Sequence, residues 1–314
     1  AMLGKTARGL FWMFRYLERS ENTARLVDAG FRIALTRSAA ASDEWSSIVT
    51  TAGVREAYLE KHSQFAAAPV IDFLLRDRSN SSSVMSVVDA ARANARMVRT
   101  ALTREVWEAT NECWITLKDL LARQVAETDL PDVLAVIRRQ SALVRGALHG
   151  TMLRNDIYDF ARIGTFVERA DNTARILDVK YYVLLPSVSH VGSSLDNVQW
   201  ETILRSVSAQ RAYRWISGGT ASPMGIAELL ILDRRMPRSL AFCTAQLREN
   251  LAFLADDYGA ALPCHDLAEG IYRDLIDRSI ESIFDSRLHD FLGEFIRRNN
   301  ELGARIEHDY RFYG

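Results

Sequence analysis

Lysine is scarce in this 314-residue chain: of its 39 basic residues only Lys5, Lys61, Lys118 and Lys180 are lysines, and the rest are arginines. Set against 40 acidic residues, they leave a formal net charge of −1, so no global field draws the chain to nucleic acid or to an anionic membrane. Arginine's planar fork suits interior and interface ion pairs, although a GC-rich coding sequence produces the same bias without functional meaning. Cysteine is sparse too. Cys113, Cys243 and Cys264 are odd in number and scattered, which argues against a disulfide framework and for a reducing compartment. No apolar run reaches the roughly 20 residues that a spanning helix needs, and the first six residues lack a signal-peptide core. The expectation is a soluble, cytoplasmic protein with neither a membrane nor a nucleic-acid partner.

Recognisable reaction motifs are missing as well. Gly4, Lys5 and Thr6 look like the tail of a phosphate loop, but the earlier glycine and the preceding strand are absent. The six histidines form no Glu-x-x-His pair, which disfavours a ferritin-like di-metal site, and there is neither His-Glu-x-x-His nor Cys-x-x-Cys. Cys264 and His265 are adjacent, an arrangement that suits neither one metal nor a nucleophile with its base, and a loop after Pro263 is their expected setting. No metal and no cofactor are expected.

What the chain does contain is a copy of itself. Residues 16–28 read YLERSENTARLVD and residues 166–178 read FVERADNTARILD, identical at seven positions. Trp45, Ile48 and Val49 then match Trp200, Ile203 and Leu204; Ala57 and Tyr58 match Ala212 and Tyr213; and Asp77-Arg78 matches Asp233-Arg234. Slowly drifting offsets imply one ancestral unit copied in tandem, repeat one covering about 1–148 and repeat two about 149–314, with the seam near residues 147–150. Apolar residues recur at three- and four-residue intervals, as in Val87/Ala91/Ala95/Val98 and Leu247/Leu251/Leu254, while period-two alternation is lacking. The six prolines fall mostly where helices should start or stop: Pro131 and Pro237 read as first-turn residues, and Pro186 as the opening of a Ser/Gly-rich loop. Fold class is therefore all-α, a compact multi-helix bundle of two similar halves in a single domain.

Stepping 100° per residue from Glu18 places Arg15, Glu18, Asn22 and Arg25 on one side of a helix, with Met13, Tyr16, Leu17, Ala24 and Val27 towards the other. In the second copy Glu168, Asn172 and Arg175 form the stripe, and Arg19 and Arg169 sit on the flanks. An exposed stripe stabilised by Glu21–Arg25 and Asp171–Arg175 pairs, spaced i, i+4, is the ordinary explanation. Yet other solvent faces of the two halves have diverged, while these polar types coincide. Buried ion pairs between helices give a reason, because an unpaired buried charge costs several kcal/mol. Asp77, Arg78, Asp233 and Arg234 are the natural partners, if the halves pack about a pseudo-twofold axis that brings the motif helices and Asp-Arg turns to one seam. The seam would be either a salt-bridge core or a charged pocket.

Three stretches carry a resemblance to a known family: Leu3 to Ala7 (Leu-x-x-Thr-Ala), Arg15 to Arg19 (Arg-Tyr-x-Glu-Arg), and Gly150-Thr-Met with Glu168-Arg169-Ala and Thr173-Ala-Arg-x-Leu-Asp178. Over essentially its whole length the chain resembles the bacterial alpha-E family, named for its helices and its Glu-Arg motif. The resemblance makes Glu18, Arg19, Glu168 and Arg169 signature positions. It also implies a partner, since family members are commonly encoded beside, or fused to, a circularly permuted ATP-grasp protein, often with a transglutaminase-like protein nearby. From this follows the expectation of a helical partner of an ATP-grasp-type peptide or amide ligase, binding substrate or ligase through the polar stripes. The alternatives are an enzyme in its own right, a hydrolase or transferase with Glu18 or Glu168 as general base, and a purely structural assembly protein.

Overall fold

The computed structural model describes residues 2–36, 41–182, 194–219 and 221–314. Two helices organise it: α1 (Gly4–Thr36) and α8 (Asp156–Tyr182), which carry the two similar Glu-Arg stretches. Both are buried on nearly every side. Phe11, Met13, Phe14, Leu17, Ala24 and Val27 of α1 are buried, but so are Glu18, Ser20, Glu21 and Asn22. In α8, Ile163, Phe166, Val167 and Ala174 are buried beside Thr165, Glu168 and Arg169. The apolar face expected for each motif helix is present, and the polar face opposite it is buried or half-buried.

The remaining helices in the first half are α2 (Ala41–Thr51), α3 (Arg55–Lys61), α4 (Ala67–Leu75), α5 (Val84–Met97), α6 (Arg104–Leu120) and α7 (Leu130–Thr151). Those of the second are α9 (Ser194–Ser206), α10 (Gln210–Ser217), α11 (Pro223–Leu232), α12 (Leu240–Tyr258), α13 (Pro263–Ile276), α14 (Ile280–Asp285) and α15 (Leu288–Asp309). No strand occurs among the described residues. Helix α1 packs on α5 and α7, both of which pack on α6, closing a ring of four. Helix α8 packs likewise on α12 and α15, which α13 joins. The rings meet along α1 and α8, the most extensive helix contact in the molecule, and α9 crosses to α1 while α2 crosses to α8.

Helices α1 and α8 run in the same direction: Phe11 meets Gly164 and, one turn on, Arg15 meets Glu168, both pairs 153 residues apart. Their backbones approach closely at Gly164, where a Cβ would collide with the Phe11 carbonyl, so glycine is required by contact rather than by conformation. The helices that follow the two Asp-Arg turns start on serine caps. Ser83 accepts from the Ser86 N–H at the start of α5, and Ser239 accepts from the Phe242 N–H at the start of α12.

Several sequence expectations shift. Pro131 sits in the first turn of α7, whereas Pro237 precedes the Ser239 cap and lies outside α12. Cys264 and His265 belong to the first turn of α13, not to a loop; Leu262 there donates its N–H to His265 Nδ1. Residues 147–150, read as the seam, are within α7, and the chain turns at 152–155. The loop expected at Pro186 lies outside the described residues.

Candidate functional site

Where α1 and α8 touch, the Glu-Arg pair of each helix binds that of the other. Arg169 Nε donates to Glu18 Oε1 at 2.8 Å, and Arg19 Nε donates to Glu168 Oε1 at 2.6 Å. The four signature residues thus form two crossed ion pairs. From there the two sides part company.

Around Glu18 the space is filled. Its side chain is 1% exposed, and its Oε1 also accepts from Arg238 Nη1 at 3.1 Å, with Arg145 Nη1 3.6 Å from Oε2. Arg238 reaches Glu21 through its other nitrogen and Asn22 Oδ1 at 3.2 Å. Glu21 further accepts from Arg145 at 2.8 Å and Arg25 at 3.2 Å. Arg25 in turn donates to the Ser206 carbonyl and the Ser208 hydroxyl. Two carboxylates are enclosed by four guanidinium groups. Burial raises the Glu18 pKa, but the charges of Arg169, Arg238 and Arg145 outweigh it and hold this carboxyl far below its usual range. Burial pulls Arg25 down to about 10 and also lowers Arg145.

Around Glu168 the space is open. Arg19 donates twice, Nε to Oε1 and Nη2 to Oε2, and Arg15 Nε donates to Oε2 at 3.0 Å. Asp171 accepts from Arg175 Nε at 2.8 Å. A cavity of about 220 Å³ adjoins them, lined by Arg15, Arg19, Arg175, Glu168, Asp171 and Asn172 together with Asn22, Thr23 and Ser82. Asp171 Oδ1, Asn172 Nδ2 and Asn22 Nδ2 are buried and without hydrogen-bond partners. Burial raises the Glu168 pKa, Arg19 and Arg15 more than reverse this, and the group settles at about 2. Asp171 goes the other way: burial raises it, and Arg175 offsets that only in part.

The candidate residues fall into two sets. Arg15, Glu18, Arg19, Asn22, Arg25, Glu168, Arg169, Asn172 and Arg175 gather at the α1–α8 seam. Asp77, Arg78, Asp233 and Arg234 do not bind there: Asp77 pairs with Lys61 and Arg78 with Asp89, while Asp233 pairs with Arg235 and Arg234 lies over the Tyr272 ring. Their local turns explain this, since Asp77 closes onto the Ser79 N–H and Asp233 onto the Arg235 N–H. The residue that does reach the seam stands five beyond Asp233. Sequence reasoning missed Arg238 and Arg145, and treated Glu21 and Asp171 as exposed partners. The available signal was a break in the repeat, because the register that aligns Ser239 with Ser83 sets Arg238 against Ser82.

Among the described residues no group of three or more His, Cys, Asp or Glu side chains is placed to hold a metal ion. Nor is any helix there long and apolar enough to cross a membrane. Cys243, near Arg169, is fully buried, and burial pushes its thiol up to about 12, unlike an activated nucleophile.

An all-helical fold joined through crossed Glu-Arg pairs defines the class. The chain belongs to the Alpha-E family, described as a predicted alpha-helical domain with a conserved ER motif, whose model matches residues 2–311. It is similar to an uncharacterized protein of Mycobacterium bovis and to two from Mycobacterium tuberculosis, each 26% identical over 275 residues. The matches cover 81% of this chain and 30% of each relative, so the chain spans about a third of the length of these proteins. No solved structure matches.

Proposed function

We propose that this chain is the helical partner of an ATP-grasp-type peptide or amide ligase and holds a peptide or amine substrate in the Glu168 cleft. The observation that carries this is the cleft itself: three arginines, two carboxylates and unpartnered amide groups around a cavity of about 220 Å³. That volume is below the roughly 300–1,000 Å³ of typical small-molecule sites, and suits one side chain or chain end better than a nucleotide. The ligase association comes from the family resemblance, and the much greater length of the relatives is what a fusion to a further domain would produce. The circularly permuted ATP-grasp protein is the proposed direct partner, with a transglutaminase-like protein in the same system, and the cytoplasm is the proposed compartment.

Catalysis by Glu18 or Glu168 has less support. A general base is most effective with a pKa near the working pH, and flanking arginines hold both carboxyls far below it. In this reading the Glu18 cluster is structural and the Glu168 cluster binds. It also takes the two halves as copies of one unit. Ser141 Oγ donates to the Leu17 carbonyl and Asn299 Nδ2 to that of Val167, two carbonyls that the sequence repeat pairs. Analytical ultracentrifugation with the cognate ATP-grasp protein tests the partnership. A shared boundary in the presence of ATP and substrate is expected; independent sedimentation under every condition would overturn it.

A further inference from the structure

The two Glu-Arg clusters have equivalent carboxylates but different numbers of cations. Under the repeat, Glu18 corresponds to Glu168, Glu21 to Asp171, Asn22 to Asn172, Arg25 to Arg175 and Arg169 to Arg19. Aligning Ser141 with Asn299, which make equivalent bonds, sets Arg145 against Gly303. There Arg15 compensates: its Nη1 lies 3.6 Å from the position a Gly303 Cβ would take. One cation has no such replacement. Arg238 precedes the α12 cap, Ser82 precedes the α5 cap, and a hydroxyl cannot fill the place of a guanidinium. Ser82 lines the cavity, and among the described residues its cationic contact there is Arg19 at 3.5 Å.

We infer that the Glu168 cleft is a guanidinium site, in which an arginine-type side chain of the ligand takes the place that Arg238 holds in the closed cluster. Arg238 shows what such a group binds, namely one oxygen of each carboxylate and an asparagine Oδ1. In the cleft the corresponding groups are Glu168, Asp171 and Asn172, and Asp171 Oδ1 is unpartnered. Repulsion from Arg15, Arg19 and Arg175 is no obstacle, because the closed cluster holds Arg238 beside three arginines of its own. Asn22 adds the second requirement. It is 4% exposed and lines the cavity, its Oδ1 accepts from Arg238, and its Nδ2 has no partner. A ligand carbonyl or carboxylate would satisfy that donor, so an arginine residue within a peptide or the free amino acid fits, and a bare guanidinium ion fits less completely.

This deepens the reading of the cleft as a binding site and does not depend on the ligase, whose association is measured separately. Thermal unfolding of the full chain is followed with N-acetyl-arginine amide, free arginine, agmatine, the neutral citrulline analogue and inorganic phosphate. The guanidinium probes are expected to raise the midpoint by about 2–4 °C at saturation, while citrulline and phosphate leave it unchanged. The peptide-like amide outranking free arginine identifies a peptide as the source; the reverse identifies the free amino acid. Ser82→Arg supplies the missing group in cis and is expected to abolish the probe-induced shift. Asp171→Asn, which keeps the shape, is expected to weaken binding at least tenfold and guards against misfolding of the first variant. Stabilisation by phosphate alone, equal stabilisation by citrulline, or no response to any probe would overturn the assignment.

Discussion

A carboxylate enclosed by guanidinium groups stabilises a fold only while it is ionised. Glu168 has an ordinary value of 4.5 and sits at about 2 in the folded chain, and Glu18 is depressed in the same direction. A depressed folded value means stability fully present above the unfolded pKa and lost as pH falls through the folded one. Urea unfolding at stepped pH is expected to show stability declining from about pH 4.5 towards pH 2, with proton uptake on unfolding only on the acid side. Asp159 has the opposite sign. Burial raises it to about 6, partly countered by the bond it accepts from Asn250, so its contribution is present below the unfolded value and lost as pH rises through about 6. Asp159→Asn is therefore expected to be more stable than the parent at pH 7.5 and to lose that advantage below pH 4. An unchanged difference across that range would remove Asp159 from the account.

At the scale of helices, the contact between α1 and α8 depends on a residue with no side chain. Gly164→Ala drives a methyl into the Phe11 carbonyl, and overpacking of this kind costs about 1–3 kcal/mol. The gain in helix propensity from glycine to alanine, about 1 kcal/mol, works against it, so a net loss in denaturant midpoint checks whether the backbones are as close as described. Ser239→Ala removes the α12 cap next to Arg238 and is expected to cost about 1 kcal/mol. Periodicity made the helices and the motif positions legible, since 3.6-residue spacing depends only on local sequence. The burial of both faces of α1 was less legible: an all-round apolar helix advertises its burial, whereas Glu18, Glu21 and Asn22 look like a solvated stripe until their partners are known.

At the scale of the molecule, those partners come from distant segments. Arg145 lies on α7 and Arg238 just before α12, 124 and 217 residues from Glu21, and no local pattern announces such a meeting. The Asp-Arg turns illustrate the same limit, for they recur in the sequence while their charges are engaged by Lys61, Asp89 and Arg235. The difference between a filled and an open cluster rests on Arg238 against Ser82, a mismatch visible in the sequence once the helix caps set the register. Association follows from the same division. If the open cluster faces a substrate that the ligase modifies, Glu168→Gln is expected to leave ligase association intact and to abolish substrate retention in a pull-down.

Comparing the unfolding free energies of Glu18→Gln and Glu168→Gln by equilibrium urea denaturation at pH 7 tests the central claim most directly. Removing the charge of Glu18 leaves the buried Arg169 without its carboxylate and Arg238 and Arg145 with Glu21 alone, and a loss of about 3–5 kcal/mol is expected. The same change at Glu168 affects Arg15 and Arg19, of which Arg19 is 25% exposed beside the cleft, and a loss of less than about half as much is expected. Equal losses at the two positions would contradict the division into one structural and one binding cluster.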